Sequence, residues 1–283
     1  MLDVSIIIVN YNTLQITQNC IDSVIEKTKG IQYEIILVDN ASTDGSKEFF
    51  EQDSRITYIY SERNGGFGYG NNLGMKVAKG KYFFLLNSDT LLVNNAIKEF
   101  VDYAESKSAK AVYGCYLQHE DGSYCSSFFY FPAFTISDFL KRIVHVKKHL
   151  PIDFQEKEVE AISGADMFFH RKIFEKTGGF DDNIFLYGEE GEWQYRMLKE
   201  GYRCFLIPYP IIIHLECKSM KDSPFKKAIG LKGHFYILRK HMTYSTYVIT
   251  RIYYACILTL KNLTNLFDKD YTLFWRNLFS KIS

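Results

Sequence analysis

The stretch Ile35-Ile36-Leu37-Val38-Asp39 is an apolar run that ends on one carboxylate, and Tyr82-Phe83-Phe84-Leu85-Leu86-Asn87-Ser88-Asp89 repeats the arrangement. Short, continuous apolar runs are typical of strands that are covered on both faces in a parallel sheet. Ligands of open α/β sheets bind beyond the carboxyl ends of such strands. We therefore expect Asp39 and Asp89 to share one crevice, suited to a base, a ribose or a divalent cation.

The segments around these two runs predict alternating strands and helices. Residues 4–9 are mostly β-branched, as in a buried strand, and residues 14–27 carry apolar side chains at helical spacing. These patterns favour an α/β protein with a mostly parallel central sheet flanked by helices. Further strands are predicted at 56–60 and 111–117, and further helices at 95–105, 136–150 and 192–200.

Two segments leave alternatives open. Residues 62–72 contain four glycines and predict a loop that leads into a helix; its backbone could approach a ligand, or it could be a flexible connector. It is not a phosphate-binding P-loop, because no lysine follows the glycines at the required place. The predicted helix at 136–150 fits either a mobile lid over a ligand or an ordinary surface helix.

Composition and charge divide the 283-residue chain into two parts. Its hydrophobic content (47%) and charged content (24%) are ordinary for a globular protein, and its aromatic content is 16%. Residues 218–283 contain 12 lysines and arginines against 3 aspartates, whereas residues 1–217 contain 22 basic and 30 acidic residues. We expect one main domain at 1–217 and a basic, aromatic, helical extension at 218–283.

The cysteines and the first residues favour a cytoplasmic protein. The six cysteines show no C-x-x-C spacing, and no histidine pair lies at zinc-finger distance. The apolar run at 4–9 is too short for a signal peptide or a transmembrane helix, so we expect it to be the first core strand. The cysteines are Cys20, Cys115, Cys125, Cys204, Cys217 and Cys256.

A series of motifs makes the sequence more specific. They are Val9-Asn10-Tyr11-Asn12, Val38-Asp39-Asn40-Ala41-Ser42-Thr43-Asp44-Gly45, Leu86-Asn87-Ser88-Asp89-Thr90, Ser163-Gly164-Ala165-Asp166, Gly178-Gly179-Phe180-Asp181, Leu186-Tyr187-Gly188-Glu189-Glu190-Gly191-Glu192-Trp193 and Ile211-Ile212-Ile213-His214. In this order, over roughly residues 1–217, the chain resembles a family 2 glycosyltransferase with the GT-A fold. It is most similar to the bacterial rhamnosyltransferase-like members. The stretch Asp121-Gly122-Ser123, followed by Phe131-Pro132, also resembles that subgroup.

This resemblance implies a function. Residues 1–217 would form a GT-A catalytic domain that moves a sugar, rhamnose or another hexose, from a UDP- or dTDP-sugar donor. The acceptor would be a hydroxyl of a cell-surface polysaccharide or a lipid-linked glycan, and the anomeric configuration would be inverted. Asn87 and Glu190 stand where the family has aspartate, so the alternative is a non-catalytic glycan- or nucleotide-sugar-binding subunit.

The resemblance also assigns the residues of a cation site. Asp89 matches the last acid of the D-x-D motif and would be a ligand of Mn²⁺ or Mg²⁺. Asn87 replaces the first acid and brings no charge; it would contact the donor or act as a turn residue. His214 would complete the coordination or bind phosphate directly, although a lone histidine is often a packed core residue.

The acceptor hydroxyl needs a base, and the resemblance places Glu190 in that role, with Glu189 as its main rival. Glu190 is one methylene longer than the usual aspartate. Glu189 and Glu192 lie close in sequence, and their negative charges would raise the pKa of a partly buried Glu190, which favours proton acceptance near neutral pH. The alternative is that all three acids form the solvated first turn of the helix at 192–200.

The remaining site residues would bind the donor or the acceptor. Asp39 matches the residue that accepts the imide N–H of uracil or thymine, although it could also cap a turn. Asp166 would touch the sugar or the acceptor, or serve as a salt-bridged structural acid. The other residues expected to bind the nucleotide-sugar are Asn10, Tyr11, Arg63, Asn64, Asn87 and Ser88.

Residues 218–283 leave the family pattern. Their most apolar stretch, residues 247–260, contains Arg251 and has only 14 residues, too few for a membrane span. Basic and aromatic residues favour peripheral contact with an anionic membrane at its inner face, where a lipid-linked acceptor would lie. Helices that close the core or form a homodimer are the alternatives. No nucleic-acid-binding motif is present, so we expect no nucleic-acid partner.

Overall fold

The computed structural model describes residues 2–107, 110–135, 154–215 and 223–280. The predicted helix at 136–150 and the predicted boundary between residues 217 and 218 lie outside these ranges. The chain divides into two compact units. The first consists of Met1–Phe131, Ile152–Asn183 and Glu190–Ser219, and the second of Pro132–Pro151, Ile184–Glu189 and Met220–Ser283.

The first unit is built on a mixed sheet of eight strands in the order β3-β2-β1-β4-β10-β6-β11-β8. Strands β3, β2, β1 and β4 run parallel, β10 lies antiparallel to both β4 and β6, and β11 returns parallel to β6. This confirms the expected α/β class and the mostly parallel central sheet. The strands are β1 Val4–Asn10, β2 Tyr33–Asp39, β3 Thr57–Tyr60, β4 Tyr82–Asn87, β5 Thr90–Leu92, β6 Ala111–Cys115, β7 Phe128–Phe129, β8 Lys157–Val159, β9 Ala161–Ile162, β10 Asp166–His170, β11 Arg203–Ile207 and β12 Ile212–His214.

Helices pack on this sheet with apolar stripes that face it. The first helix, Leu14–Lys27, has the predicted bounds, and its buried positions Cys20, Ile21 and Val24 recur at the spacing of one helical face. The β-branched strand β1 is buried along almost its whole length, as a strand covered on both faces must be. The helices are α1 Leu14–Lys27, α2 Ser46–Phe50, α3 Phe67–Val77, α4 Ala96–Ser106, α5 Arg171–Thr177 and α6 Glu189–Lys199.

The strand register aligns three polar side chains at the carboxyl edge of the sheet. Asn10 of β1 pairs with Asp39 of β2, and Val9 pairs with Asn87 of β4. All three strands run parallel, so their last residues lie side by side. This is the edge of the sheet at which the sequence pattern predicts a ligand site.

The Gly-rich segment is helical over much of its length, so the expectation of a loop at 62–72 is wrong there. Helix α3 begins at Phe67, directly after Gly66, whose φ of 89° favours glycine. A Cβ on Gly70 would lie 2.7 Å from Cγ1 of Val9, and one on Gly74 would lie 2.5 Å from Cγ2 of Ile7. These glycines let the helix approach β1 more closely than any other residue would allow.

Residues 223–280 of the second unit form three α-helices, which confirms a helical C-terminal region. Ser223 caps the first of them by accepting a hydrogen bond from the Lys226 N–H, and Thr243 caps the second in the same way from Thr246. Among the described residues, no helix is both long and apolar enough to cross a bilayer. The helices are α7 Pro224–His241, α8 Tyr244–Lys261 and α9 Thr272–Phe279.

Candidate active site

Asp89 and His214 face each other at the end of β4. The strand ends at Asn87, not at Asp89, so Ser88 and Asp89 form a turn into β5. Strand β5 pairs with β12 so that Thr90 lies opposite His214. This pairing brings Nε2 of His214 within 3.2 Å of Oδ1 of Asp89, and both side chains remain partly exposed, at 13% and 18%.

These two side chains suit a divalent cation whose other ligands come from a substrate. A carboxylate oxygen and an imidazole nitrogen are both ligands that Mn²⁺ accepts, and Asp89 alone suits Mg²⁺. Within the described residues, no group of three or more His, Cys, Asp or Glu side chains forms a metal cluster. Two protein ligands would leave most of the coordination shell to diphosphate oxygens. Nδ1 of His214 lies 3.7 Å from Sγ of Cys125, which leaves Nε2 directed at Asp89.

Glu190 lies at the start of α6, which begins at Glu189 and not at residue 192. Its carboxylate lies beside the Ser163-Gly164 turn, since a Cβ on Gly164 would be 3.8 Å from Oε1 of Glu190. Glu189 and Glu192 are 2% and 1% exposed. The alternative of a solvated first turn is therefore wrong for these two acids.

Two polar side chains that sequence reasoning missed fix α6 in place. The Nε–H of Arg196 donates a bifurcated hydrogen bond, 3.0 Å to each carboxylate oxygen of the buried Glu192, and the guanidinium also donates to the carbonyls of Thr177 and Gly179. Gln194 exchanges hydrogen bonds with the backbone of Ile162, at 2.7 and 2.8 Å. Their only sequence signal is polar character on the inward side of an amphipathic helix.

Asp39 is fully buried at the end of β2. Its Oδ1 accepts a hydrogen bond of 2.8 Å from the Ser42 N–H, and its Oδ2 accepts one of 3.1 Å from the Tyr58 hydroxyl. Burial, reinforced by the Asp39 carboxylate, raises the pKa of Tyr58, which keeps the phenol protonated as a donor. The turn-capping role is thus present in the structure, and each oxygen retains a lone pair for a further donor.

Asn10 organises the loop at the end of β1. Its Oδ1 accepts hydrogen bonds from the hydroxyls of Thr13 and Thr17, at 2.8 and 3.0 Å, and its Nδ2 donates to Oγ of Ser42 at 3.1 Å. The side chain is fully buried, whereas the neighbouring Tyr11 is 49% exposed. Asn10 therefore holds the β1 and β2 loops together, and Tyr11 has a ring that a ligand could contact.

The other predicted donor-binding residues lie on two loops. Arg63 is exposed and stacks its guanidinium on the Tyr69 ring, 4.8 Å from the centroid. Asn64 accepts a hydrogen bond of 3.0 Å from the Gly66 N–H, which fixes the start of α3. Ser88 lies in the same turn as Asp89, after Asn87. The structure thus brings Asn87, Ser88 and Asp89 together, while Arg63 and Asn64 precede α3.

Asp166 is fully buried on β10, as Asp39 is on β2. Its Oδ2 accepts a hydrogen bond of 2.6 Å from the Cys115 N–H, and its Oδ1 has no hydrogen-bond partner among the described residues. Burial raises the pKa of Asp166 to about 7. This environment favours a structural acid on β10 over a group that touches the substrate.

Asn72 on α3 is a further residue that sequence reasoning missed. Its Oδ1 accepts a hydrogen bond from the Phe180 N–H at 2.9 Å, and its Nδ2 donates to the Phe180 carbonyl at 2.9 Å and to Asp182 at 2.8 Å. The side chain thus ties α3 to the Gly178-Gly179-Phe180-Asp181 motif. The only sequence signal for this role of Asn72 is a polar residue at a buried position of a helix.

Known proteins share this fold and parts of this sequence. Glycosyltransferase GlyG of Streptococcus pneumoniae is 33% identical over 122 residues, which cover 42% of this chain and 40% of the relative. The putative teichuronic acid biosynthesis glycosyltransferase TuaG of Bacillus subtilis is 29% identical over 147 residues, 50% of this chain and 58% of the relative. The chain therefore spans well under two thirds of both relatives.

A solved structure has the same fold. The crystal structure of GalNAc-T7 with UDP, GalNAc and Mn²⁺ matches with a TM-score of 0.68 at 19% identity, covering 90% of this chain and 51% of that chain. This likeness confirms the GT-A fold. The family model described as Glycosyl transferase family 2 matches residues 5–178. From its motifs, its fold and this match, the chain belongs to glycosyl transferase family 2.

Proposed function

We propose that this protein transfers a sugar from a UDP- or dTDP-linked donor to a hydroxyl of a cell-surface polysaccharide or a lipid-linked glycan, with inversion. The reaction would take place in the cytoplasm, and the sugar would be rhamnose or another hexose. The observation that carries the proposal is the Asp89–His214 pair, 3.2 Å apart, beside the carboxyl edge of the sheet. Family membership and the named glycosyltransferase relatives support it.

Asp89 and His214 would hold Mn²⁺ or Mg²⁺ together with the donor diphosphate. When bound, the cation would stabilise the negative charge that develops on the leaving nucleoside diphosphate. Asn87 and Ser88 lie in the same strand end and turn, where their side chains would hydrogen-bond the sugar or the diphosphate. Because Asn87 carries no charge, the protein alone should bind the cation weakly and the nucleotide should supply the missing anionic ligands.

The nucleoside would lie over the ends of β1 and β2. Asp39 would accept the imide N–H that uracil and thymine share, which gives the preference for UDP or dTDP. Tyr11, with its exposed ring, Arg63 and Asn64 would contact the base and the ribose. Asn10 would support this pocket from below by holding its two loops together.

Glu190 would take the proton of the acceptor hydroxyl as its oxygen attacks the anomeric carbon opposite the diphosphate. The hydrogen bonds of Gln194 and Arg196 hold α6 in place, so the Glu190 backbone is rigidly positioned. Glu189 is the rival base, and its 2% exposure makes it the less accessible of the two acids.

The test is nucleoside diphosphate release from a panel of UDP- and dTDP-hexoses, with a lipid-linked monosaccharide as acceptor and with Mn²⁺ or Mg²⁺. Loss of a general base lowers the rate by about 10²–10⁴-fold, so Glu190→Gln should lower turnover by that factor while retaining nucleotide binding. Glu175→Gln, at an exposed position of α5, is the matched control and should keep full activity.

Three results would contradict this proposal. Full activity of Glu190→Gln would exclude it as the base, and loss of activity in Glu189→Gln alone would transfer the role to Glu189. Nucleotide-sugar binding by the wild-type protein without turnover of any donor would favour the non-catalytic subunit.

A further inference from the structure

Helix α8 has its arginine on the inner side and aliphatic side chains on the outer side. Arg251 is 8% exposed, and its guanidinium lies 4.9 Å from the centroid of the Phe235 ring. The same guanidinium donates hydrogen bonds to the Tyr247 hydroxyl and to the Ser280 carbonyl, at 3.0 and 2.7 Å. These contacts lock the rotation of α8 within the second unit.

The outward face of α8 is an apolar stripe. It is formed by Ile249, Ile252, Cys256 and Leu260, which recur every three or four residues and therefore share one side of the helix. Ile249, Ile252 and Leu260 are 62%, 59% and 69% exposed, and Cys256 is also exposed. Leu263 and Phe267 continue the same spacing beyond the helix, and Phe267 is 95% exposed.

This arrangement is the reverse of a helix that only closes a core. A core-closing helix turns its aliphatic side to the protein and its charged side to water. Here the buried side chains of α8 are Tyr247 and Arg251, and three large aliphatic residues, Ile249, Ile252 and Leu260, are exposed. A contiguous apolar surface of this kind marks a contact site for another molecule or for a membrane.

The charges around the stripe identify the contact. Residues 224–261 contain no aspartate or glutamate, and exposed cations lie near both ends of α8: Arg239 and Lys240 before it, and Lys261 at its last position. Asp268 and Asp270 follow only after Phe267. An apolar helix face bordered by cations complements a surface that is apolar inside and anionic outside.

We propose that the outer stripe of α8 lies in the headgroup region of an anionic lipid bilayer, with the helix parallel to the membrane plane. The helix has 18 residues and is therefore about 27 Å long, enough for its four stripe residues to insert together. A second copy of the chain fits less well. A two-fold contact through the stripe would bring the same cations of both copies together, and like charges would oppose it.

The first experiment measures co-sedimentation of the full chain with vesicles of phosphatidylcholine alone or with phosphatidylglycerol, at low and high salt. The wild-type protein should bind the anionic vesicles, and salt should weaken the binding. The double variant Ile252→Ser/Leu260→Ser should lower the partition at least about tenfold, because it removes two large apolar side chains. Val77→Ser, an exposed valine at the end of α3, is the matched control and should bind like the wild type.

The contribution of the basic side chains to vesicle binding is tested in the same assay. Lys261→Gln should lower the partition about fivefold, since one basic residue near an anionic surface contributes about 1 kcal/mol. Lys76→Gln, at an exposed position of α3, is its control and should leave the partition unchanged.

A fluorescent probe reports the orientation directly. In a Cys217→Ser background, an environment-sensitive fluorophore on Cys256 should shift to shorter wavelength when anionic vesicles are added, because the other described cysteines are buried and would not react. A probe placed at Val77→Cys in the Cys217→Ser/Cys256→Ser background should not shift.

Some results would overturn the proposal. They are failure of the wild-type protein to bind anionic vesicles at low salt, full binding by the Ile252→Ser/Leu260→Ser variant, and an unshifted Cys256 probe. Sedimentation velocity could give one more result that overturns the proposal. A dimer that dissociates in the double Ser variant would show that a second copy covers the stripe. None of these readouts depends on sugar transfer, so they stand or fall separately from the proposed function.

Discussion

Substitution of Gly74 by alanine tests the packing that supports the carboxyl edge of the sheet. The added Cβ would lie 2.5 Å from Cγ2 of Ile7 and 3.4 Å from Cγ2 of Val38. Ile7 and Val38 are both fully buried in β1 and β2, so neither can move into open space. To restore an ordinary contact, α3 must move away from β1 by roughly 1 Å.

The expected free-energy change follows from two opposing effects. Overpacking a filled core costs about 1–3 kcal/mol, and the 2.5 Å contact with a fully buried side chain puts Gly74 in the upper half of that range, at about 2–3 kcal/mol. The better helix propensity of alanine offsets about 1 kcal/mol of this cost. We therefore expect Gly74→Ala to lower the free energy of unfolding by about 1–2 kcal/mol. Gly230→Ala on α7 is the matched control, since its Cβ would meet only Tyr187 atoms at 3.8 and 4.0 Å. It should stabilise by about 0.5–1 kcal/mol.

Urea unfolding followed by circular dichroism measures both variants against the wild type. A Gly74→Ala protein that is as stable as the wild type, or more stable, would refute the packing argument. It would show that α3 and β1 have room for a methyl group.

Two further predictions concern buried charges. Arg251→Leu removes the donor to the Leu278 and Ser280 carbonyls at the end of α9, so urea unfolding should show a free energy of unfolding lower by about 1–3 kcal/mol. The control Arg276→Leu, at an exposed position, should change the free energy of unfolding by less than about 0.5 kcal/mol. Equal losses in the two variants would contradict the role of Arg251. Burial raises the pKa of Asp166 to about 7 from 3.8, so Asp166 keeps a proton in the folded state that it has lost in the unfolded state, and its contribution to stability falls as pH rises between these values. The asparagine of Asp166→Asn does not titrate, so the melting temperature of this variant relative to the wild type should rise from pH 4 to about pH 7 and then level off. A difference in melting temperature that is independent of pH would show that Asp166 is not buried as a neutral acid.

The sequence predicted the fold where local patterns are strong. The helix at 14–27 and the strand at 4–9 have uninterrupted periodicity, and the structure reproduces both closely. The helix within the Gly-rich segment could not be predicted, because Gly70 is required by a long-range contact with Val9, which no local pattern reveals. Composition alone cannot distinguish a glycine that turns the chain from one that lets two elements approach.

The candidate site could be predicted only in part. Asp89 and His214 are separated by more than a hundred residues, and only their place in the motif series indicated that the fold would bring them together. The sequence left Asp166 either as a contact of the sugar or acceptor or as a structural acid; β10 is buried on both faces here, and the contact of Asp166 with Cys115 is a long-range one that no local pattern reveals. The hydrogen bonds of Gln194 to Ile162 and of Arg196 to Thr177 and Gly179 depend on the tertiary position of α6, which local sequence does not encode.

We propose that Asp89 and His214 hold a cation only together with the diphosphate of a UDP or dTDP donor. Isothermal titration calorimetry of UDP and dTDP binding, with and without Mn²⁺, tests it most directly in the wild type, in Asp89→Asn and in the exposed control Asp102→Asn. We expect Mn²⁺ to tighten binding at least about tenfold in the wild type and in Asp102→Asn, and to have no effect in Asp89→Asn. Equal nucleotide affinity with and without Mn²⁺ in the wild type, or a full effect of Mn²⁺ in Asp89→Asn, would contradict the claim.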